Sequence, residues 1–363
     1  MPTTSAPAAA ALLPPNYVWR SYLGGQALRC FRGGLEQSDD HFPEDWLAST
    51  VKARNGTNSQ GPHEGLSRLA LAESECLLAT SLETEPEFWF GCRDARNRNA
   101  SGTGVLWKLL DASVRLQFQA HPDARFASQH LNSSAGKTEC WYILITRGEA
   151  SVYLGFQRPP TREAWGRMIE EQNVDEMLKC FEPIPVKAGD CFVVPAGTPH
   201  AIGAGVFMME LQEPTDWVVR CERVNAGLVL PPEACFMGLN LEQCLDVFDY
   251  RACSLEHVNE RFRQAPRTLH NSAAFRHEEI IGPAWHNFFR LERLRGKANA
   301  DWHGGELMLL VALQGKGTLV AGDSELVVCA GQTWLLPGAM TEWKWAATRG
   351  DWELLLAKLP RHP

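Results

Sequence analysis

The chain contains 363 residues, of which 45% are apolar and 21% are charged, so it is long enough for two globular domains and differs in composition from disordered or fibrous proteins. Lys and Arg number 35 against 43 Asp and Glu, a formal net charge of −8, and no dense basic run is present, which argues against nucleic acid as a partner. No apolar run reaches the roughly 18 residues that a membrane-spanning helix needs, so we expect no membrane partner.

The N-terminal segment and the cysteines indicate in which cellular compartment the protein is found. Residues 1–15 carry a short apolar patch without a basic n-region, which favours a flexible leader over a secretory signal. The 11 cysteines are scattered without a C-x-x-C pair, and Cys140 and Cys191 lie in apolar, strand-like runs. We therefore expect reduced core thiols and a cytoplasmic protein.

From Gly104 onward, short apolar or alternating runs broken by Gly and Pro predict antiparallel strands. The runs are VLWKLLDA, RLQFQAHP, CWYILITRG, ASVYLGF, DCFVVPAG, HAIGAGVFMMELQ and DWVVRCERV. Such a series is typical of a β-barrel or jelly roll. We predict that this domain spans 16–227, and that one or two helices near 161–181 interrupt it, because Trp165, Met168 and Ile169 fall at helical spacing.

A second set of strands follows a mixed connector. Residues 228–285 read as a connector with a short helix, and strands resume after Phe288 as NFFRLERL, GELMLLVALQG, GTLVAGDSELVV and QTWLLPGAM. The turn PAGTPH of the first half is echoed by PGAMTE in the second. The sequence therefore predicts a mainly β protein of two jelly-roll barrels, the second over 286–363.

Four residues of the first half could converge on one ion. Gln119 and His121 are two positions apart, so alternation along a strand puts both side chains on one face. Glu139 lies beside a later strand, and His200 follows the Pro-Ala-Gly turn at the end of another. Two imidazoles, a carboxylate and an amide suit Zn, Mn, Fe or Co, with zinc as the first choice. Surface or satisfied core histidines are the alternative.

Longer strings resemble a known family. The string QAHPDARFASQHLNSSAGKTECWYIL, together with GDCFVVPAGTPHAIGAGVFMMELQEPTD and the preceding VLWKLLDA, is similar to the type I mannose-6-phosphate isomerases of the cupin superfamily. A looser N-terminal echo includes Val18-Trp19, Gly24-Gly25 and Glu44-Asp45-Trp46. The resemblance covers roughly residues 16 to 225, and the short helical insertion is similar to the short bacterial form.

The resemblance implies an activity and a site. It implies isomerisation of mannose 6-phosphate and fructose 6-phosphate through an enediol, with one divalent metal, zinc by first choice, on Gln119, His121, Glu139 and His200. It also implies active-site roles for Lys108, Lys137, Asp216 and Arg220. For the phosphate and the charged intermediate we choose Arg220 and Lys137, since guanidinium and ammonium groups pair with oxyanions.

The remaining roles are less defined by the sequence. Asp216 is the candidate for proton transfer, and Glu210 could support a metal ligand from a strand of the same barrel. Lys108 could bind either the phosphate or the charged intermediate. Solvated surface charge is the alternative for Lys108, Asp216 and Glu210.

Other sequence features leave alternatives open. At the turn equivalent to His200, the second barrel has Met340, Thr341 and Glu342, and Asp301-Trp302-His303 reads as a loop, so we expect that barrel to bind no metal and to act as a cap or homodimer surface. CERVNAGLVLPP after Arg220 departs from the family pattern. A related, unphosphorylated sugar as substrate, or a sugar-binding cupin without catalysis, is therefore also considered.

Overall fold

The computed structural model describes residues 10–35, 38–70, 75–91 and 102–361. Two antiparallel β-sandwich lobes make up the fold, which confirms the predicted mainly β class with two jelly-roll barrels. In this part of the chain no helix is long and apolar enough to cross a membrane.

The first sixteen strands lie before residue 230, and all but β1, β4, β5, β15 and β16 belong to the two sheets of the first lobe. They are β1 Ala11–Leu12, β2 Tyr17–Val18, β3 Glu44–Leu47, β4 Arg68–Ala70, β5 Glu75–Leu77, β6 Leu106–Ala112, β7 Gln119–Ala120, β8 Glu139–Thr146, β9 Ser151–Leu154, β10 Ile184–Pro185, β11 Cys191–Val194, β12 His200–Ile202, β13 Val206–Gln212, β14 Val219–Arg220, β15 Val224–Asn225 and β16 Leu228–Val229. The first lobe consists of a six-stranded sheet, in the order β11-β8-β13-β6-β3-β2, and a five-stranded sheet, β10-β9-β12-β7-β14.

The second lobe follows the same plan. Its strands are β17 Arg267–Asn271, β18 Phe275–Glu279, β19 Arg290–Gly296, β20 Ala300–His303, β21 Met308–Gln314, β22 Lys316–Ala321, β23 Ser324–Cys329, β24 Thr333–Leu336, β25 Glu342–Ala347 and β26 Trp352–Lys358. A seven-stranded sheet, β1-β24-β21-β26-β19-β18-β17, faces a four-stranded sheet, β20-β25-β22-β23. Strands β17 and β18 fall inside the segment 228–285 that the sequence predicts as a connector, yet they extend this sheet.

The N-terminal segment belongs to the second lobe. Ala11 and Leu12 pair with Leu335 and Trp334, and the N–H of Leu13 donates to the carbonyl of Thr333 at 2.9 Å. The sequence predicts a flexible leader over 1–15; residues 1–9 lie outside the described residues, and the rest of that segment is anchored at the edge of a sheet.

Helices are short and lie mostly outside the sheets. They are α1 Gln26–Phe31, α2 Leu78–Thr84, α3 Pro86–Phe90, α4 Ala124–His130, α5 Arg162–Glu171, α6 Val174–Lys179, α7 Pro232–Cys235, α8 Leu241–Leu245 and α9 Leu255–His257. Helices α5 and α6 are the predicted insertion, and each begins at a capping side chain, Thr161 and Asn173, that accepts a hydrogen bond from the first turn. Trp165, Ile169 and Met177 pack them against the first lobe.

The six-stranded sheet separates two cores, and this determines which residues reach the site. Cys140, Trp107 and Met209 lie in a core shared with the second lobe, whereas Trp141, Leu110 and Met208 pack inside the first barrel. Strands alternate their side chains between two faces. Lys108, Glu139 and Glu210 share the parity of the second group, so all three point into the barrel.

Candidate metal centre and active site

Three side chains inside the first barrel form a cluster suited to a metal ion. The ligand atoms of His121, Glu139 and His200 all lie within 4.8 Å of one another, and the three residues are buried. Nε2 of His121 is 2.9 Å from Oε1 of Glu139, and Nε2 of His200 is 3.6 Å from Oε2 of the same carboxylate. The carboxylate therefore lies between the two imidazoles.

Backbone carbonyls orient both rings. Nδ1 of His121 lies 2.9 Å from the carbonyl oxygen of Trp217, and Nδ1 of His200 lies 2.8 Å from that of Thr198. A carbonyl only accepts, so each Nδ1 carries the hydrogen and each Nε2 keeps its lone pair facing the cluster. Ligating histidines in proteins are held in this way.

Gln119 brings an amide to the edge of the same cluster. It lies on β7 beside His200 of β12, and its Nε2 is 3.2 Å from Nε2 of His200. A 180° flip of the side-chain amide places Oε1 of Gln119 where Nε2 lies, beside Nε2 of His200. The structure therefore brings together all four residues that the sequence singles out as ligands.

Charge and burial favour a cation here. Burial lowers the pKa of His121 to about 3, so its imidazole is neutral at pH 7. Burial alone would raise the pKa of Glu139, but His121 and Lys137 outweigh it and hold that pKa well below its usual range. Oε1 of Glu139 is buried without an accepted hydrogen bond, although Nζ of Lys137 lies 2.8 Å away. Two neutral imidazoles and an ionised carboxylate fit a divalent metal.

Lys137 contacts the ligands themselves. Besides Oε1 of Glu139, its Nζ lies 3.2 Å from Nε2 of His121. The buried ammonium group of Lys137 thus contacts two of the candidate ligand atoms, Oε1 of Glu139 and Nε2 of His121. Lys137 therefore lies at the end of the cavity that His121 and Glu139 form.

A second buried group of charges adjoins the cluster. Nζ of Lys108 is 2.9 Å from Oε2 of Glu210 and 3.6 Å from Oε2 of Glu44. Glu44 also accepts hydrogen bonds from Arg20 at 2.9 Å and from Tyr22 at 2.8 Å. Burial and the charge of Glu139 raise the pKa of Glu210 to about 7, against the opposing effect of Lys108.

Asp216 is held in an ion pair. Its two oxygens accept from Arg20 at 3.2 and 3.3 Å, and Oδ2 also accepts from the backbone N–H of Arg54 at 2.8 Å. Burial raises the pKa of this carboxyl, but Arg20 and Lys108 outweigh burial and the net pKa is lowered. Asp216 is therefore an ionised anchor for the segments around residues 20 and 54.

Two adjoining chambers connect these groups with the surface. The inner chamber, of about 40 Å³, is lined by Lys108, Gln119, Lys137, Glu139 and Glu210. The outer chamber, of about 410 Å³, is lined by residues that include Trp19, Arg54, Trp217 and Met237. Arg20, Asp216 and Arg220 line both chambers.

Arg20, Tyr22, Glu44 and Arg54 line or support the two chambers, and the sequence alone assigns them no role. The only signal for them was the N-terminal echo around Val18-Trp19 and Glu44-Asp45-Trp46. Arg20 and Asp216 are 196 positions apart in the chain, and no local pattern reports such a contact.

Known proteins resemble the chain over most of its length. Mannose-6-phosphate isomerase ManA of Bacillus subtilis is 30% identical over 246 residues, which are 66% of this chain and 71% of the relative. The chain belongs to the mannose-6-phosphate isomerase family. The mannose-6-phosphate isomerase of Streptococcus mutans is 28% identical over 260 residues, 71% of this chain and 75% of that one. No model of a protein family matches the chain.

Solved structures share the fold of this family member over its whole length. The crystal structure of mannose 6-phosphate isomerase from Bacillus subtilis superposes with a TM-score of 0.74 at 21% identity, covering 97% of this chain and 100% of that one. A variant of phosphomannose isomerase from Salmonella typhimurium gives a TM-score of 0.68 at 14% identity, covering 97% and 100%. Both lobes therefore have counterparts in these structures.

Proposed function

We propose that this protein interconverts mannose 6-phosphate and fructose 6-phosphate. The observation that carries the proposal is the convergence of His121, Glu139 and His200 in a barrel whose inner chamber also holds the Lys108–Glu210 pair. An aldose–ketose isomerase needs a group that moves a proton between neighbouring carbons and groups that stabilise the resulting oxyanion. The named relatives are isomerases of this class.

Gln119, His121, Glu139 and His200 would hold one divalent metal, for which we propose zinc. Nitrogen and oxygen donors of this kind bind zinc, and four protein ligands leave room for substrate oxygens. A bound divalent metal supplies Lewis-acid polarisation of the sugar oxygens. The neutral imidazoles need no deprotonation before they ligate it.

Glu210, with Lys108, is the pair that we propose for proton transfer. A carboxyl group with a pKa near 7 can both take and return a proton at neutral pH, and Glu210 lines the inner chamber. Asp216 is the candidate from the sequence, but both of its oxygens accept hydrogen bonds and its pKa is lowered. We therefore assign Asp216 to positioning Arg20 and the backbone of Arg54.

Lys137 and Arg220 are proposed to meet the negative charges of the substrate. Nζ of Lys137 lies beside Glu139 and His121, which supports a role at the enediol oxygens rather than at the phosphate. Arg220 lines both chambers, and its Nη1 donates to the carbonyl of Ala234 at 3.1 Å, which leaves other donors of its guanidinium for the phosphate.

The proposal extends to the domain organisation, the cellular location and the oligomeric state. We propose that 16–227 is the catalytic domain, with the insertion near 161–181, and that 286–363 is a metal-free second domain reached through 228–285. Cys140 and Cys191 lie with their sulfurs 3.5 Å apart as free thiols, which supports a cytoplasmic location. A homodimer stays a prediction.

The proposal is tested by assaying the metal-loaded protein on mannose 6-phosphate, other hexose phosphates and free hexoses. We expect turnover of mannose 6-phosphate, with exchange of the C2 proton into solvent and with free mannose converted far more slowly. Faster turnover of a free sugar would show that the substrate is an unphosphorylated sugar. Binding of sugar phosphate without any proton exchange would contradict catalysis.

A further inference from the structure

Arg54 differs from the other cations that surround the two chambers. Its guanidinium carbon lies 3.6 Å from the centre of the Trp217 ring, and its side chain is exposed. Among the described residues it forms no ion pair and donates no side-chain hydrogen bond. No carboxylate of the described residues therefore compensates the positive charge of the Arg54 guanidinium at the outer chamber.

Three of the neighbouring cations are already paired with carboxylates, whereas Arg220 forms no ion pair among the described residues and donates to the carbonyl of Ala234. Arg20 is bound by Glu44 and Asp216. Lys108 is bound by Glu210, and Lys137 by Glu139. These charges hold the protein together, and each would have to leave a carboxylate to bind an anionic ligand.

The position of Arg54 is fixed in advance by two contacts. Its backbone N–H donates to Oδ2 of Asp216 at 2.8 Å, and its guanidinium is stacked on the indole of Trp217. Stacking on an aromatic face leaves the N–H groups at the edge of the guanidinium free. That edge is the part that binds an oxyanion with two parallel hydrogen bonds.

The two chambers differ in volume, and this difference determines which part of a substrate each can hold. The inner chamber, of about 40 Å³, has room for roughly three water-sized groups, so it cannot contain a phosphate together with the reacting carbons. The outer chamber, of about 410 Å³, has ample room, and both Arg54 and Arg220 line it. An anionic group remote from the reacting carbons would therefore lie in the chamber that these two guanidinium groups line.

We propose that Arg54 is a specificity-determining residue that binds the terminal phosphate of the substrate in the outer chamber, together with Arg220. This inference rests on the proposed function for the identity of the substrate. It places the phosphate at Arg54 and Arg220, and it leaves Lys137 at the metal end. Discrimination against unphosphorylated sugars then depends on Arg54.

Arg54→Gln, Arg54→Lys and the control Arg349→Gln, an exposed arginine of the second lobe, test this role. We expect Arg54→Gln to raise KM for mannose 6-phosphate about 10- to 100-fold, the size expected for a lost hydrogen bond to a charged group, with kcat changed less than about threefold. Arg54→Lys should recover part of the loss, and Arg349→Gln should match the wild type. Inhibition by inorganic phosphate should weaken in parallel in Arg54→Gln.

An unchanged KM in Arg54→Gln, with wild-type turnover intact, would overturn the role of Arg54 while leaving the proposed function in place. A loss confined to kcat and accompanied by loss of bound metal would overturn it as well, because that pattern indicates damage to the metal site. Should the wild type not turn over mannose 6-phosphate, the proposed function fails separately. The affinity of inorganic phosphate for the wild type and for Arg54→Gln, measured by calorimetry, then tests the role of Arg54 independently. Equal affinities would reject the proposal that Arg54 binds the phosphate.

Discussion

Nζ of Lys108 lies 2.9 Å from Oε2 of Glu210, and the two residues face each other directly across strands β6 and β13. Both are buried, in a barrel otherwise filled with residues such as Leu110, Trp141 and Met208. Removing two charges from water is unfavourable unless they pair closely. The pair lines the same inner chamber as the candidate ligand Glu139, where a solely structural barrel core would hold apolar side chains.

Glu210→Gln should lower kcat for mannose 6-phosphate by about 10²- to 10⁴-fold, because the amide keeps the shape of the side chain but cannot take a proton. The metal content should stay at the wild-type level, since Glu210 is not a ligand. Steady-state kinetics with metal analysis on the same samples measures both.

Glu149→Gln is the matched control, an exposed glutamate of the same lobe, and should leave kcat unchanged. Near wild-type kcat in Glu210→Gln would return Asp216 to consideration as the proton-transfer group.

His121→Ala and His200→Ala should weaken metal binding by more than about 100-fold, since loss of groups that only support a ligand already costs 10- to 100-fold. His303→Ala, which removes an exposed histidine of the second lobe, should bind metal as the wild type does. Equilibrium dialysis against Zn²⁺ provides the comparison. Equal affinities in His121→Ala and His303→Ala would place the metal elsewhere.

The N-terminal segment provides a stability test with a built-in control. Leu13 is buried in the core shared by the lobes, whereas its neighbour Leu12 is 46% exposed. Leu13→Ala should lower the free energy of unfolding by about 2–5 kcal/mol, and Leu12→Ala by less than about 1 kcal/mol. Urea denaturation measures both. Equal, small effects would show that the segment contributes little to the fold in solution.

Glu292 should make stability depend on pH in the acid range. Burial raises its pKa, but hydrogen bonds from His277 at 2.8 Å and Lys358 at 2.7 Å outweigh burial and lower it to about 2. A carboxyl group with a lowered folded-state pKa stabilises the fold above its unfolded-state pKa, near 4.5, and the contribution disappears as pH falls through about 2.

Glu292→Gln should therefore be less stable than the wild type by about 3 kcal/mol at neutral pH, with the difference shrinking below pH 4.5. Denaturation curves collected from pH 7 downward measure it, with the exposed Glu325→Gln as the control. A difference that does not change with pH would exclude this ion pair as its source.

Local patterns in the sequence were sufficient for most strands of the first lobe and for the candidate ligands. Short apolar runs bounded by Gly and Pro predicted β6, β8, β11 and β13, which are buried on both faces over most of their length. Alternation along a strand predicted that the side chains of Gln119 and His121 share one face, and helical spacing predicted α5 and α6 near 161–181.

Contacts between distant parts of the chain could not be read in the same way. Ala11 pairs with Leu335, and Arg20 binds Asp216, and neither partner leaves a periodic signal near the other. Strand β17, RTLHN, is exposed along its whole length, so it lacks the alternation that marks a half-buried strand. These features depend on how the two lobes are assembled.

The isomerisation that we propose requires a divalent metal at His121, Glu139 and His200. Metal-depleted protein is titrated with Zn²⁺, and turnover of mannose 6-phosphate is measured at each step. We expect activity to be absent without metal and to rise in proportion to bound Zn²⁺ until one equivalent is reached. Full activity after metal removal, or no turnover in the metal-loaded protein, would contradict the claim.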